Sequence, residues 1–174
     1  MPFELQPYLK GRLVELRPLR AEDFDALYSA ASDPMIWEQH PESDRWTLPV
    51  FNRYFSGAIA SGGAFLVLDA ETGEAIGSTR YHDFLEEESE IEIGWTFLVR
   101  SHWGGPCNRE MKGLMLHHAF RFVRSVVFKI GVQNIRSRRA VEKLGGVLEG
   151  TSTDPRGGES VVYRLTPDGW VDVP

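Results

Sequence analysis

The chain has 174 residues, 42% of them hydrophobic and 25% charged, which suits one domain with a core that needs neither disulfides nor metals. Its one cysteine, Cys107, excludes an intrachain disulfide, and no apolar run approaches the ~18 residues of a membrane span, so a reducing, cytoplasmic setting without a membrane partner is expected. The net charge of −6 argues against nucleic acid as the main partner and fits a cationic substrate slightly better, although most of that charge is solvated surface.

Leu13, Val14 and Leu16 form an extended pattern ending at Pro18–Arg20, a first strand. Phe24, Leu27, Tyr28 and Ala31 then recur at helical spacing until Asp33-Pro34. Thr47-Leu48-Pro49 opens a second helix, with Thr47 as N-cap, and Gly62-Gly63 closes it. A hairpin follows, 64–69 and 75–84, around Glu71-Thr72-Gly73-Glu74. In 89–99 the alternation sets Ile91, Ile93 and Trp95 on one face and Glu90, Glu92 and Thr96 on the other. A helix over 108–123 carries Met111, Leu114, Met115, His118 and Phe122 on one side. The rest reads as strand 126–132, helix 135–144, and strands 147–150 and 160–165. The order is mixed α/β, with no internal repeat, and residues 1–174 are expected to form a single domain.

Two strand-to-helix junctions carry the chemistry. In Val99-Arg100-Ser101-His102-Trp103-Gly104-Gly105-Pro106-Cys107-Asn108 a strand runs through a glycine-rich turn into a long helix. Exposed amides at a helix N-terminus bind anions, and glycines let the backbone approach a phosphate. In Gln133-Asn134-Ile135-Arg136-Ser137-Arg138 a second strand ends, and Asn134 is placed to cap the next helix. Read alone, each junction also fits a turn with no ligand.

Together the junctions resemble the GNAT superfamily of N-acetyltransferases, and within it the RimJ/RimL type that acetylates ribosomal-protein alanine. The matching stretches are "EIGWTFL" at 92–98, "WGGPCNREMKGLMLHHAF" at 103–120, "VQNIRSRRAVEKLGG" at 132–146, "SVVYRLTPDGW" at 160–170 and the opening "LVELRPLRAEDFDALYSAASDP" at 13–34. The resemblance implies an acyl-CoA N-acyltransferase fold: a mixed sheet of about six or seven strands, splayed between the fourth and fifth, with about four helices. Two departures stand out. The family's phosphate loop, Gln/Arg-x-x-Gly-x-Gly/Ala, falls here on Ser101 to Pro106 with only Gly104 matching, and Pro106 removes an N–H donor, so a cradle with fewer donors is expected.

The resemblance further implies that acetyl-CoA is bound and CoA released. Its pantetheine arm would lie between the parted strands on the backbone of Phe97 and Val99, with an amide near Leu98 polarising the thioester carbonyl. Its diphosphate would rest on Trp103, Gly104, Gly105, Cys107, Asn108 and Arg109. Asn134 would meet the arm, Arg138 a phosphate, and Ser137 the departing sulfur. The reaction would be direct attack by a primary amine, of a small molecule or a protein N-terminus, with Glu92 as base. Glu90 and His82 compete for that role, and each of these also reads as an ordinary strand side chain. Cys107 has no base beside it in sequence, which argues against an acyl-cysteine route, and the adjacent His117-His118 face different sides of a helix, so no metal site is expected. The acceptor would be set by 33–46, with Trp37, His40 and Trp46, and by the link 154–159; Glu86 to Glu88 also offer negative charge for a cation. A homodimer is compatible with the family. A CoA-binding sensor without catalysis stays open as an alternative, and a nucleotide-binding α/β protein is disfavoured because no P-loop or dinucleotide fingerprint is present.

Overall fold

The computed structural model describes residues 2–172. One eight-stranded sheet runs in the order β1-β2-β3-β4-β5-β6-β8-β7. The strands are β1 Leu9–Lys10, β2 Val14–Pro18, β3 Ala64–Asp69, β4 Ala75–Leu85, β5 Glu90–Leu98, β6 Ser125–Gly131, β7 Val147–Thr153 and β8 Glu159–Leu165. The helices are α1 Phe24–Ala31, α2 Leu48–Ser61, α3 Pro106–Ala119 and α4 Ile135–Lys143. Among the described residues β5–β6 is the only parallel pair; every other pairing is antiparallel. The added strand relative to expectation is the two-residue β1, too short to leave a periodic signal.

Each face of the sheet buries its own cluster. Ile91, Ile93, Met111, Met115, Phe128, Val141 and Leu144 lie together under α3 and α4. Leu27, Phe51, Tyr54, Phe55, Leu66 and Phe97 lie under α1 and α2 on the other side. Membership in opposite clusters follows from strand alternation, because successive side chains leave a strand on opposite faces.

Local chemistry sets the helix ends. α2 ends at Gly62, whose φ of 65° is the left-handed conformation that a side chain disfavours. Thr47 precedes α2 as expected, but its hydroxyl donates to the Asp44 carbonyl at 2.8 Å and does not accept from the helix. α3 begins two residues earlier than its apolar stripe suggested, because Pro106 at the first helical position loses no hydrogen bond there.

α3 is tied to the sheet by one carboxylate. Glu110 accepts from the backbone amides of Arg12, Leu13 and Val14 at 2.9, 2.7 and 2.9 Å. Glu110→Ala strands these donors, and a loss of about 2 kcal/mol in chemical denaturation is expected; an unchanged midpoint would show that water replaces the carboxylate without cost.

Candidate active site

The sheet opens at its centre. β5 and β6 pair only from Glu90↔Ser125 to Glu92↔Val127, while β5 runs on to Leu98 and β6 to Gly131. A cleft of about 830 Å³ fills the gap, within the range of small-molecule and cofactor sites. Its walls come from Ile93 to Leu98, from Phe128 to Gly131, and from the first turns of α3 and α4.

The parting has a local cause in β5. Pairing with β4 passes from Ser78↔Phe97 to Arg80↔Gly94, so Thr79 faces both Trp95 and Thr96, and Trp95 sits at φ 51°. One extra residue bends the strand and inverts its alternation beyond that point. Trp95 therefore leaves the Ile91/Ile93 face and packs its ring 4.6 Å from that of His82. Thr96 turns to the α3 side, where its hydroxyl lies 2.8 Å from that of Thr79 and accepts from Lys112 at 2.6 Å. The uninterrupted alternation expected of 89–99 is thus corrected at Trp95 and Thr96.

Backbone direction follows the same pairing. The Val99 amide donates to Ile76 at 2.8 Å and its carbonyl accepts from His102 at 3.0 Å. Because hydrogen-bonded and non-bonded pairs alternate in an antiparallel ladder, Phe97 also turns its backbone to β4, whereas Leu98 turns its own to the gap. The Val99 backbone groups expected to meet a ligand are thus engaged within the protein, and those of Phe97 face β4. Leu98 keeps its gap-facing amide, and its carbonyl accepts from the Trp103 indole at 2.8 Å.

At one end of the cleft lies the 103–109 turn. Gly104 has φ 66°, and the space where a Cβ would stand is open, so the turn presents a bare concave backbone. Gly105 is the N-cap of α3 and Pro106 its first residue, which leaves the Gly105, Cys107 and Asn108 amides without intrahelical partners. No acidic residue occupies the first turn. Trp103, Gly104, Gly105, Asn108 and Arg109 line the cleft. The Cys107 side chain instead packs against the core, and burial raises its thiol pKa, contrary to the usual effect of a helix N-terminus.

At the other end, Asn134 accepts from the Ser137 amide at 3.4 Å and caps α4, and Asn134 and Ser137 both line the cleft. Arg138 does not. Its guanidinium, expected to meet a phosphate, donates to the Val132 carbonyl at 3.0 Å and the Tyr163 hydroxyl at 3.1 Å on the β6–β8 side. Its neighbour Arg136 stands at the mouth, with the guanidinium 3.7 Å from the Trp103 ring centroid. Sequence reasoning passed over Arg136 because helical spacing does not reveal which arginine of three faces a ring some thirty residues away.

Lys112 was also passed over. Its ammonium nitrogen is buried beside Thr96 on the floor of the cleft, and desolvation lowers its pKa to about 7.

Of the carboxylates, Glu92 is buried at the last paired rung before the gap, 3.4 Å from the Lys129 ammonium. Burial raises its pKa, against the pull of Lys129. Glu90 is occupied by Arg164 and by the Ser125 hydroxyl, the latter at 2.9 Å. His82 lies opposite Glu92 in β4, 3.0 Å from Asp83, with its pKa lowered by burial. Trp37, expected near the acceptor, is mainly core: it is buried, donates to the Ala31 carbonyl at 2.8 Å and packs against Phe97. His40 is half-buried at the cleft edge, its pKa lowered to about 3 by desolvation, whereas Trp46 is exposed.

A parallel strand pair that parts over a turn of free amides defines the class of protein, and the comparisons agree. A family described as "Acetyltransferase (GNAT) domain" matches residues 13–147. The chain belongs to the GNAT acetyltransferases; membership implies use of an acyl-CoA. Among solved structures it is similar to a GCN5-related N-acetyltransferase from Brucella melitensis (TM-score 0.85, 23% identity, covering 97% of this chain and 82% of that one). It is also similar to an acetyltransferase from Agrobacterium tumefaciens str. C58 (0.69, 25%, 95% and 96%). Mycobacterium smegmatis RimJ, solved in complex with CoA-disulfide, shares the fold (0.70, 19%, 89% and 82%). No curated protein matches the chain in sequence. Among the described residues no helix is long and apolar enough to cross a membrane.

Proposed function

We propose that residues 1–174 act as one domain that transfers the acetyl group of acetyl-CoA to a primary amine by direct attack. The observation that carries this reading is the continuous cleft from the Gly104 turn through the β5–β6 gap to Ser137. Bound there, acetyl-CoA supplies an activated acyl group and a thiol leaving group. That RimJ of this fold was solved with CoA-disulfide supports the fit.

The Gly105, Cys107 and Asn108 amides, with Arg109 beside them, hold the diphosphate, aided by the α3 dipole. The Leu98 amide is directed into the gap, where it polarises the thioester carbonyl; low dielectric strengthens such a bond. Asn134 keeps Ser137 at the head of α4, from which the hydroxyl donates to the departing sulfur. An amine with a pKa near ~10 must lose a proton before attack, and Glu92 accepts it directly or through water. Burial suits it to the task by bringing its pKa closer to neutrality.

The test is thiol release by the purified chain, with acetyl-CoA and a panel of small amines and peptides. Saturable release that depends on the amine is expected. Tight acetyl-CoA binding with no release for any acceptor would instead identify a sensor. Ser137→Ala is expected to slow turnover by only about 3- to 10-fold, because a thiol of pKa ~8.5 leaves fairly well unaided. Complete loss of activity in the folded variant would give Ser137 a larger role.

A further inference from the structure

The acceptor side of the sheet holds a second hollow, of about 190 Å³, and its charge is opposite to that of the chain. It is lined by Arg45, Arg53, Arg80 and Arg156, with Glu42 as its one carboxylate. The whole chain carries a net charge of −6. Glu42 pairs with Arg45, with Arg156 at 2.8 Å and with Arg53 at 3.8 Å, so three guanidinium groups share one carboxylate.

Arg80 has no part in that sharing. It is 5% exposed, and its Nε is buried without a hydrogen-bond partner among the described residues. Its guanidinium lies over the Trp95 ring at 4.5 Å and nearer the edge of contact with Tyr54 at 5.9 Å. Stacking leaves the planar N–H fork free, and that fork matches the two oxygens of a carboxylate or phosphate. Glu92 attracts Arg80 through space without forming an ion pair with it, so burial of the guanidinium is costly and an incoming anion lowers that cost.

The hollow is connected to the chemistry through Trp95, which lines both it and the main cleft. The bulge that parts β5 from β6 places Trp95 there, and the Tyr54 hydroxyl fixes it by donating to the Trp95 carbonyl at 2.8 Å. Arg80 and Glu92 lie on the same face of neighbouring strands, the former opposite Gly94 and the latter opposite His82.

We propose that the acceptor is a small amine that also carries an oxyanion group, a carboxylate or a phosphate, and that Arg80 receives this group with Arg45 and Arg156 while the amine reaches the cleft past Trp95. The proposal rests on the acetyl-transfer reading and names its substrate class. It adds an anionic group to the cationic substrate that net charge slightly favoured.

The test uses the full chain with acetyl-CoA and amine pairs that differ only in the anionic group: amino acids against their amides, and O-phosphoethanolamine against ethanolamine. A preference of roughly 100-fold or more in kcat/KM for the anionic member is expected; which pair shows it separates carboxylate from phosphate. Arg80→Gln should cut that preference roughly 10- to 100-fold through KM while acetyl-CoA affinity is kept. The exposed Arg156→Gln, which cannot disturb the core, should cut it less. Calorimetry with the anionic amines and CoA reads the site without turnover. Anion binding that depends on Arg80, with no acetylation of any amine, would overturn the transfer reading and leave the anion site standing. Equal use of neutral, cationic and anionic amines, unaffected by Arg80→Gln, would overturn the anion site and leave acetyl transfer standing. Peptides preferred over every small amine would also overturn the proposal.

Discussion

Glu92→Gln is expected to lower kcat/KM for amine acetylation by roughly 10²- to 10⁴-fold while acetyl-CoA affinity stays within about threefold. Glutamine keeps nearly the same volume but exchanges one acceptor oxygen for an NH2 donor and cannot take a proton. The pH dependence adds a second reading. A carboxylate base works only when ionised, so the rate rises with pH through its pKa. Burial places that pKa above the ordinary range, and the acid limb of the profile should stand above the ~4.3 of a free glutamate. Lys129 opposes the shift from 3.4 Å, so Lys129→Met should move the limb to still higher pH. Retained activity in Glu92→Gln with an unmoved limb would transfer the role elsewhere, first to His82 across the ladder.

Lys112→Met is expected to stabilise the protein at pH 7. The lysine pKa falls from 10.5 to about 7 on folding, with desolvation as the cause. Below about pH 7 both folded and unfolded chains hold the proton, and the penalty of the buried charge is felt in full. Between about 7 and 10.5 the unfolded chain still holds it and the folded chain does not, so stability rises with pH across that window. Above 10.5 both are neutral and the dependence ends. The full rise is on the order of 4–5 kcal/mol at about 1.4 kcal/mol per pH unit. Methionine has nearly the same shape without the charge, so its denaturation midpoint should exceed the parent's at pH 7 and converge with it near pH 10. A variant that is less stable at pH 7 by the same margin at every pH would mean that the Thr96 hydrogen bond outweighs desolvation. Because Lys112 lines the cleft, acetyl-CoA affinity measured alongside shows whether the amine also serves the ligand.

Much of this was legible in sequence, for a definite reason. The hairpin strands, the helix that closes at Gly62 and the turn before α3 are written in near neighbours: apolar spacing, a glycine free to take positive φ, a proline at a helix start. The Gly-rich turn and the Asn134–Ser137 junction were visible because each feature lies within a few residues. The hydrogen bonds of Val99 and Arg138, to Ile76 and to Val132 and Tyr163, were not legible, because strand neighbours that no local pattern names choose those partners.

The sequence alone determined the family, the helices, every strand but the two-residue β1, and the two strand-to-helix junctions at 99–108 and 131–137, since helical and strand periodicity and capping are short-range effects. Tertiary structure alone decided where the sheet parts, which way Trp95 and Thr96 face, that Lys112 is buried, and that arginines from positions 45, 53, 80 and 156 converge on one hollow. A bulge exists only against a partner strand, and both desolvation and charge clustering depend on what folding brings within a few ångströms, however distant along the chain.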